Sequence, residues 1–179
     1  MDINTLDYIV GRGGNGPQAN QPSLPRVRQL LEVATTVVVV ALASGTRMGG
    51  SVPVLIDGNE LEWEDTAEEL DDMFLGDAEV RRRSLDVMAN PRGGNTPVVT
   101  EDGHMILDIQ FNEGEGGLKL YGEEVGYDVI GAEIGGVEGV VTHGLVTGEA
   151  TFAVVIDEEL GVEVLSRAPV LLEQREDGV

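Results

Sequence analysis

The chain has 179 residues, 41% of them apolar, which is enough for one sizeable domain or two small ones sharing a core and excludes disorder throughout. Against 11 basic residues stand 33 acidic ones, a formal net charge of -22 whose field repels nucleic acid and anionic membranes and excludes both as partners. Cysteine is absent, so disulfides, thiolate metal sites and cysteine nucleophiles are excluded as well.

Lys119 is the only lysine; every other basic residue is arginine. An acidic surface of this density repels itself in dilute buffer and is relieved by screening. The expectation is a protein of a salt-rich cytosol. The apolar run "TTVVVVALA" is far too short for a bilayer, and no basic, apolar leader precedes it, so the expected location is cytoplasmic.

Residues 1 to 22 read as loop, with the breakers "VGRGGNG" and "PQANQP". A helix is expected from Ser23 as N-cap, with Pro25 in the first turn and Val27, Leu30, Leu31 and Ala34 on one face. "TTVVVVALA" then reads as a strand buried on both faces, as in a parallel sheet between helices.

"SVPVLIDG" is the next strand. "TAEELDDMFLG" carries a capping-box pattern, Thr66 with Glu69, an apolar face of Ala67, Leu70 and Phe74, and a stop at Gly76. "AEVRRRSL" reads as a strand, with the Arg81-Arg82-Arg83 block balancing nearby acids. "PVVT" and "MILDIQF" pair across the Asp102-Gly103 turn, which leaves His104 exposed at the tip. Leu107, Ile109 and Phe111 point to one side, Asp108 and Gln110 to the other. Glu101 and Asp102 are turn acids, solvated rather than paired for acid–base work.

A helix is expected in "NEGEGGLKLYGEEVGYDVIGAEIGG", with Leu118, Tyr121, Val125, Val129 and Ala132 on one face, although Gly122, Gly126 and Gly131 each cost it about 1 kcal/mol against alanine. "GVVTHGLV", "TFAVVI" and "VEVLS" are the closing strands. Two distant histidines and dispersed carboxylates give no metal-ligand spacing, so neither metal nor other cofactor is expected.

The motifs also carry a family resemblance. "PVVTEDGHMILD" is similar to the "PVVTDNGNYILD" of type A ribose-5-phosphate isomerases, and "EGVVTHGLV" to their "PGVVEHGLF". "SVPVLI" resembles their "PLPVEV" strand, and "VVVVALASG" their "FIVIADESK". The order is kept from about Leu6 to Leu165, and the resemblance implies the C-terminal half, or rather more, of such an enzyme. The implied fold is α/β: partial Rossmann-like parallel sheet elements from residues 1–50 and 148–179, plus an inserted ferredoxin-like α+β domain over 51–147.

Enzymes of that family interconvert ribose 5-phosphate and ribulose 5-phosphate through a cis-enediol, which needs a carboxylate base and preorganised donors for the phosphate. Their early phosphate loop and "DGADE" motif would lie before Met1. Their "KGGGGA" loop corresponds to "VGRGGNG", so Gly11, Arg12, Gly13 and Gly14 are the implied substrate contacts, with Arg12 or Val10 at the lysine. Arg47 is a possible stand-in for the lysine of "DESK", whose position holds Gly45. The "REK" motif falls on Arg26, Val27 and Arg28, which puts Val27 at the catalytic glutamate. No catalytic residue is therefore expected, and His143 of "HGL" is read as a structural hydrogen-bonding group.

The expected function is a catalytically deficient isomerase relative that keeps a sugar-phosphate pocket. The alternatives are an assembly protein without ligand, or an isomerase completed in trans. A homo-oligomer, or a partner chain covering the missing half, is expected in each.

Overall fold

The computed structural model describes residues 1–11, 23–42, 48, 50–58, 62–84, 96–111, 118–157 and 161–167. Its centre is a four-stranded antiparallel sheet of β3 (Gly50–Ile56), β4 (Ala78–Arg82), β5 (Met105–Phe111) and β6 (Val140–His143), in the order β4-β5-β3-β6. Helices α2 (Trp63–Phe74) and α3 (Tyr127–Gly136) join these strands. The register sets Val52 opposite Ile109 and Val54 opposite Leu107, so each strand sends alternate residues to one side. There they meet Leu70, Met73 and Phe74 of α2 and Ile130 and Ile134 of α3 in a continuous core. Each such fully buried side chain contributes about 1.5–3 kcal/mol.

Around this unit lies a second sheet. β2 (Val38–Leu42) pairs in parallel with β8 (Phe152–Asp157), which pairs antiparallel with β9 (Gly161–Ser166). A short ribbon of β1 (Tyr8–Ile9) and β7 (Leu145–Val146) lies between the two. Helix α1 (Leu24–Val33) leads into β2, and its Leu31 packs with Leu6, Tyr8, Val146 and Ala153 in a second, smaller core.

Several expectations need correction. The valine strand is buried on one face only, since Val38 and Val40 are exposed. In α1 Leu30 and Ala34 are exposed, and Ser23 precedes the helix without a side-chain cap bond. Thr66 is no N-cap: α2 starts at Trp63, and the Thr66 hydroxyl donates instead to the Glu138 carbonyl at 3.1 Å. The "VTHGLV" run is two strands in different sheets, broken at Gly144.

The helix whose apolar face was expected to start at Leu118 begins only at Tyr127. Tyr121 and Gly122 both take left-handed backbone, φ 51° and 80°, which ends any helix there. Its buried residues are Ile130, Gly131 and Ile134, a different phase from the expected face. His104 is half-buried rather than exposed, because Gly58 runs directly against the Gly103–His104 turn.

Candidate functional site

On the sheet face away from α2 and α3, the chain turns at Gly11. Gly11 has φ 76°, a conformation glycine adopts without strain. Its base is fastened from three directions. The Val10 N–H donates to the Gly144 carbonyl at 2.8 Å, and the Gly144 N–H donates to Pro53 O at 2.7 Å. From the end of β4, Arg83 Nη1 donates to Gly11 O at 3.2 Å. A side chain on Gly11 would meet Pro53 Cγ at 3.3 Å and Leu24 Cδ1 at 3.4 Å, so the turn sits close against β3 and the start of α1.

Arg83 is held by a bidentate pair with Asp108 of β5: Nε to Oδ2 at 2.7 Å and Nη2 to Oδ1 at 2.5 Å. Both side chains are largely buried, at 10% and 14% exposure. Arg81 also meets an acid, Glu79 at 2.5 Å, whereas Arg82 lies 3.9 Å from the Trp63 ring centre. The Arg83 pair is nonetheless no surface feature, since it forms the floor beneath the glycine turn.

A second arginine joins α1 to the strands. Arg28 donates from Nε and Nη2 to the His143 carbonyl at 3.1 and 2.9 Å, and from Nη2 to the Leu145 carbonyl. Nη2 also lies 3.1 Å from His143 Nδ1. A guanidinium only donates, so Nδ1 accepts and the imidazole proton sits on Nε2, beside Gly131. Burial, then the Arg28 charge, lowers the His143 pKa from 6.5 to about 4. Burial also lowers that of Arg28, with Glu149, Tyr8 and Glu32 opposing. Tyr8 is raised by burial and Glu149, against the pull of Arg28. His143, the last residue of β6, is thus a neutral hydrogen-bonding group.

That arrangement has a pH signature. Unfolded imidazole binds a proton near 6.5, whereas the folded one resists until about 4. The neutral histidine's contribution is complete above pH 6.5 and is lost as pH falls through this window, about 2–4 kcal/mol in all. Chemical-denaturant titrations between pH 7 and 4 should therefore show a steeper loss in the native chain than in His143→Gln. Equal slopes would mean that His143 titrates freely.

Of the implied substrate contacts only Gly11 lies among the described residues; Arg12, Gly13, Gly14 and Arg47 lie outside them. Val27 falls in the first turn of α1, half-buried, its N–H donating to Ser23 O at 3.1 Å. The position offers no group able to take a proton. Sequence reasoning missed the anchoring roles of Arg28 and Arg83, whose partners lie 115 and 25 residues away.

Two surface hollows, about 370 and 420 Å³, lie along α2 and are lined by Asp65 and Glu69 with Glu68 and Asp72, or with Asp57 and Glu138. Carboxylates so placed repel a phosphate, and neither hollow adjoins the glycine turn.

A parallel strand pair with a β-α-β-β-α-β insert, and a glycine turn beside it, define a mixed α/β protein. The family model of ribose 5-phosphate isomerase A (phosphoriboisomerase A) matches residues 3–161, and the chain belongs to that family. It is 27% identical over 170 residues to the ribose-5-phosphate isomerase A of Synechococcus sp. (strain JA-3-3Ab), covering 94% of this chain and 61% of the relative. Among solved structures, ribose 5-phosphate isomerase from Plasmodium falciparum superposes with a TM-score of 0.66 at 21% identity, over 93% of this chain and 61% of that one. The enzyme of Methanocaldococcus jannaschii gives 0.63 at 21% identity, over 92% and 61%. The chain thus spans about three-fifths of its relatives' length, so it is not a C-terminal half alone.

Proposed function

We propose that this chain binds a sugar phosphate of the ribose 5-phosphate type and does not isomerise it unaided. The observation that carries this reading is a valine, Val27, in the first turn of α1, at the position that the motif resemblance assigns to the family's glutamate. Proton transfer between adjacent carbons requires a base within hydrogen-bond reach, and valine has none to offer. What supports retained binding is the glycine turn, anchored by Arg83, Gly144 and Pro53, at the start of "GRGG". Backbone N–H groups of such a loop, with Arg12, suit a phosphate.

In this reading residues 51–147 form a ferredoxin-like unit, supported by the strand order β4-β5-β3-β6. Residues 1–50 and 148–179 belong to a partial Rossmann-like domain, and the protein works in a salt-rich cytoplasm.

One experiment tests these points together: melting curves in low and molar KCl, with and without millimolar ribose 5-phosphate, beside an isomerase assay. Melting should rise with KCl and again with ligand, while turnover stays at the buffer rate. Turnover by the free chain would overturn the loss of the base. A melting curve indifferent to ligand would overturn binding, and one indifferent to KCl would overturn the salt-adapted surface.

A further inference from the structure

Helices α2 and α3 are fastened by what they bury, Leu70, Met73 and Phe74 in one and Ile130 and Ile134 in the other. Helix α1 buries no residue. Its ends are also weak, for Ser23 makes no side-chain cap bond, the first turn has no acid and the last turn no base. Its 10 residues fall short of the roughly 12–15 that hold a helix in water without a partner. α1 therefore persists only while it is docked.

The docking rests chiefly on Leu31, half-buried against the second core, and on Arg28. Among the described residues, Arg28 alone of α1 reaches the strands with side-chain hydrogen bonds: to the His143 and Leu145 carbonyls, and to His143 Nδ1 at 3.1 Å. The imidazole that accepts this last bond is held from behind. A side chain on Gly131 of α3 would lie 3.2 Å from His143 Cε1, and one on Gly135 3.9 Å from Nε2. The ring is thus caught between the glycines of α3 and the guanidinium.

A protonated ring carries a hydrogen on both nitrogens, so turning it over restores no acceptor. It would set two cations and two donors against each other across 3.1 Å, where burial weakens screening. Among the described residues no carboxylate offsets this at the ring. β3 sets Val54 opposite His143, α3 offers glycines, and Glu149, Glu32 and Tyr8 act on Arg28.

We propose that α1 is a proton-released catch: it undocks and melts as a unit, ahead of the rest of the fold, when the His143 imidazole takes up a proton. The four-stranded sheet stays closed, since its core contains no residue of α1. Opening lifts Leu24 from the glycine turn, where it lies against Gly11, and bares the Tyr8 and Val146 side of the second core. This stands on α1 and its contacts, not on sugar-phosphate binding, so either reading can fail without the other.

Hydrogen exchange of the full chain, read by mass spectrometry in molar KCl to screen the surface charge, tests it. Rates are corrected for the intrinsic pH dependence of exchange. Between pH 7 and 5 the opening of α1 in the native chain should rise at least about fivefold, while that of α3 stays within about twofold. In His143→Gln, which cannot become a cation, α1 should open equally at both pH values. At pH 7 Arg28→Met should speed α1 at least about tenfold and leave α3 unchanged. If that variant does not fold, the native chain and His143→Gln still decide the matter. α1 and α3 exchanging together at every pH would overturn the separate unit. An equal pH response of α1 in His143→Gln would overturn the proton as its release.

Discussion

Gly144→Ala should cost at least about 4 kcal/mol and leave little soluble protein, or lower the melting temperature by ten degrees or more. A methyl group there would lie 2.7 and 2.9 Å from Pro53 Cγ and Cδ and inside van der Waals contact of the Val10 carbonyl. Neither neighbour can move freely. The Val10 N–H is bonded to the Gly144 carbonyl, and the Pro53 carbonyl to the Gly144 N–H. Gly136→Ala is the control, because a Cβ at that position meets nothing within 4 Å. It should be neutral or stabilising by up to about 1 kcal/mol. Equal melting temperatures for the two variants would show that β1 and β3 are not held at Gly144 as described.

Asp108→Ala should be nearly as damaging, about 3–5 kcal/mol, because it strands the buried Arg83 charge without its bidentate partner. The Asp108→Leu, Arg83→Met pair should recover a large part of that loss, since removing both charges removes the burial penalty with them. Arg83 also donates to Gly11, so the double variant should regain stability yet lose the arginine's hold on the glycine turn. Ribose 5-phosphate should then shift its melting temperature less than that of the native chain. A single variant that melts within two degrees of the native chain would show the pair to be solvated.

These effects also mark the limit of what the sequence discloses. Strands with clean alternation were legible: Leu107, Ile109 and Phe111 are buried as their spacing required, and β3, β8 and β9 lie where apolar runs put them. Helix α2 was legible in its apolar face, though not in its start, because Trp63 and two acids extend it ahead of Thr66. Tyr121 defeated the helical pattern around it, since left-handed backbone at a tyrosine carries no local signal. The break at Gly144 was equally hidden, for a glycine in a strand pattern fits continuation and rupture alike. The family motifs pointed to Gly11 and Val27. The polar anchors were beyond reach because Arg28 with His143 and Arg83 with Asp108 are meetings of distant segments. The open face of β2 was misjudged for a different reason: four valines announce burial but not what buries them.

The parallel pairing of β2 and β8 carries one more consequence. The Val37 N–H reaches the hydroxyl of Thr151, 114 positions further along a chain that in between forms the β-α-β-β-α-β unit. Closing so long a loop in a flexible chain costs entropy before any contact repays it. Once the insert has folded, its two ends leave from neighbouring strands, since β3 pairs with β6, and the span left to close is a few residues on either side. The four-stranded unit is thus the clamp that gives the outer sheet its effective local order.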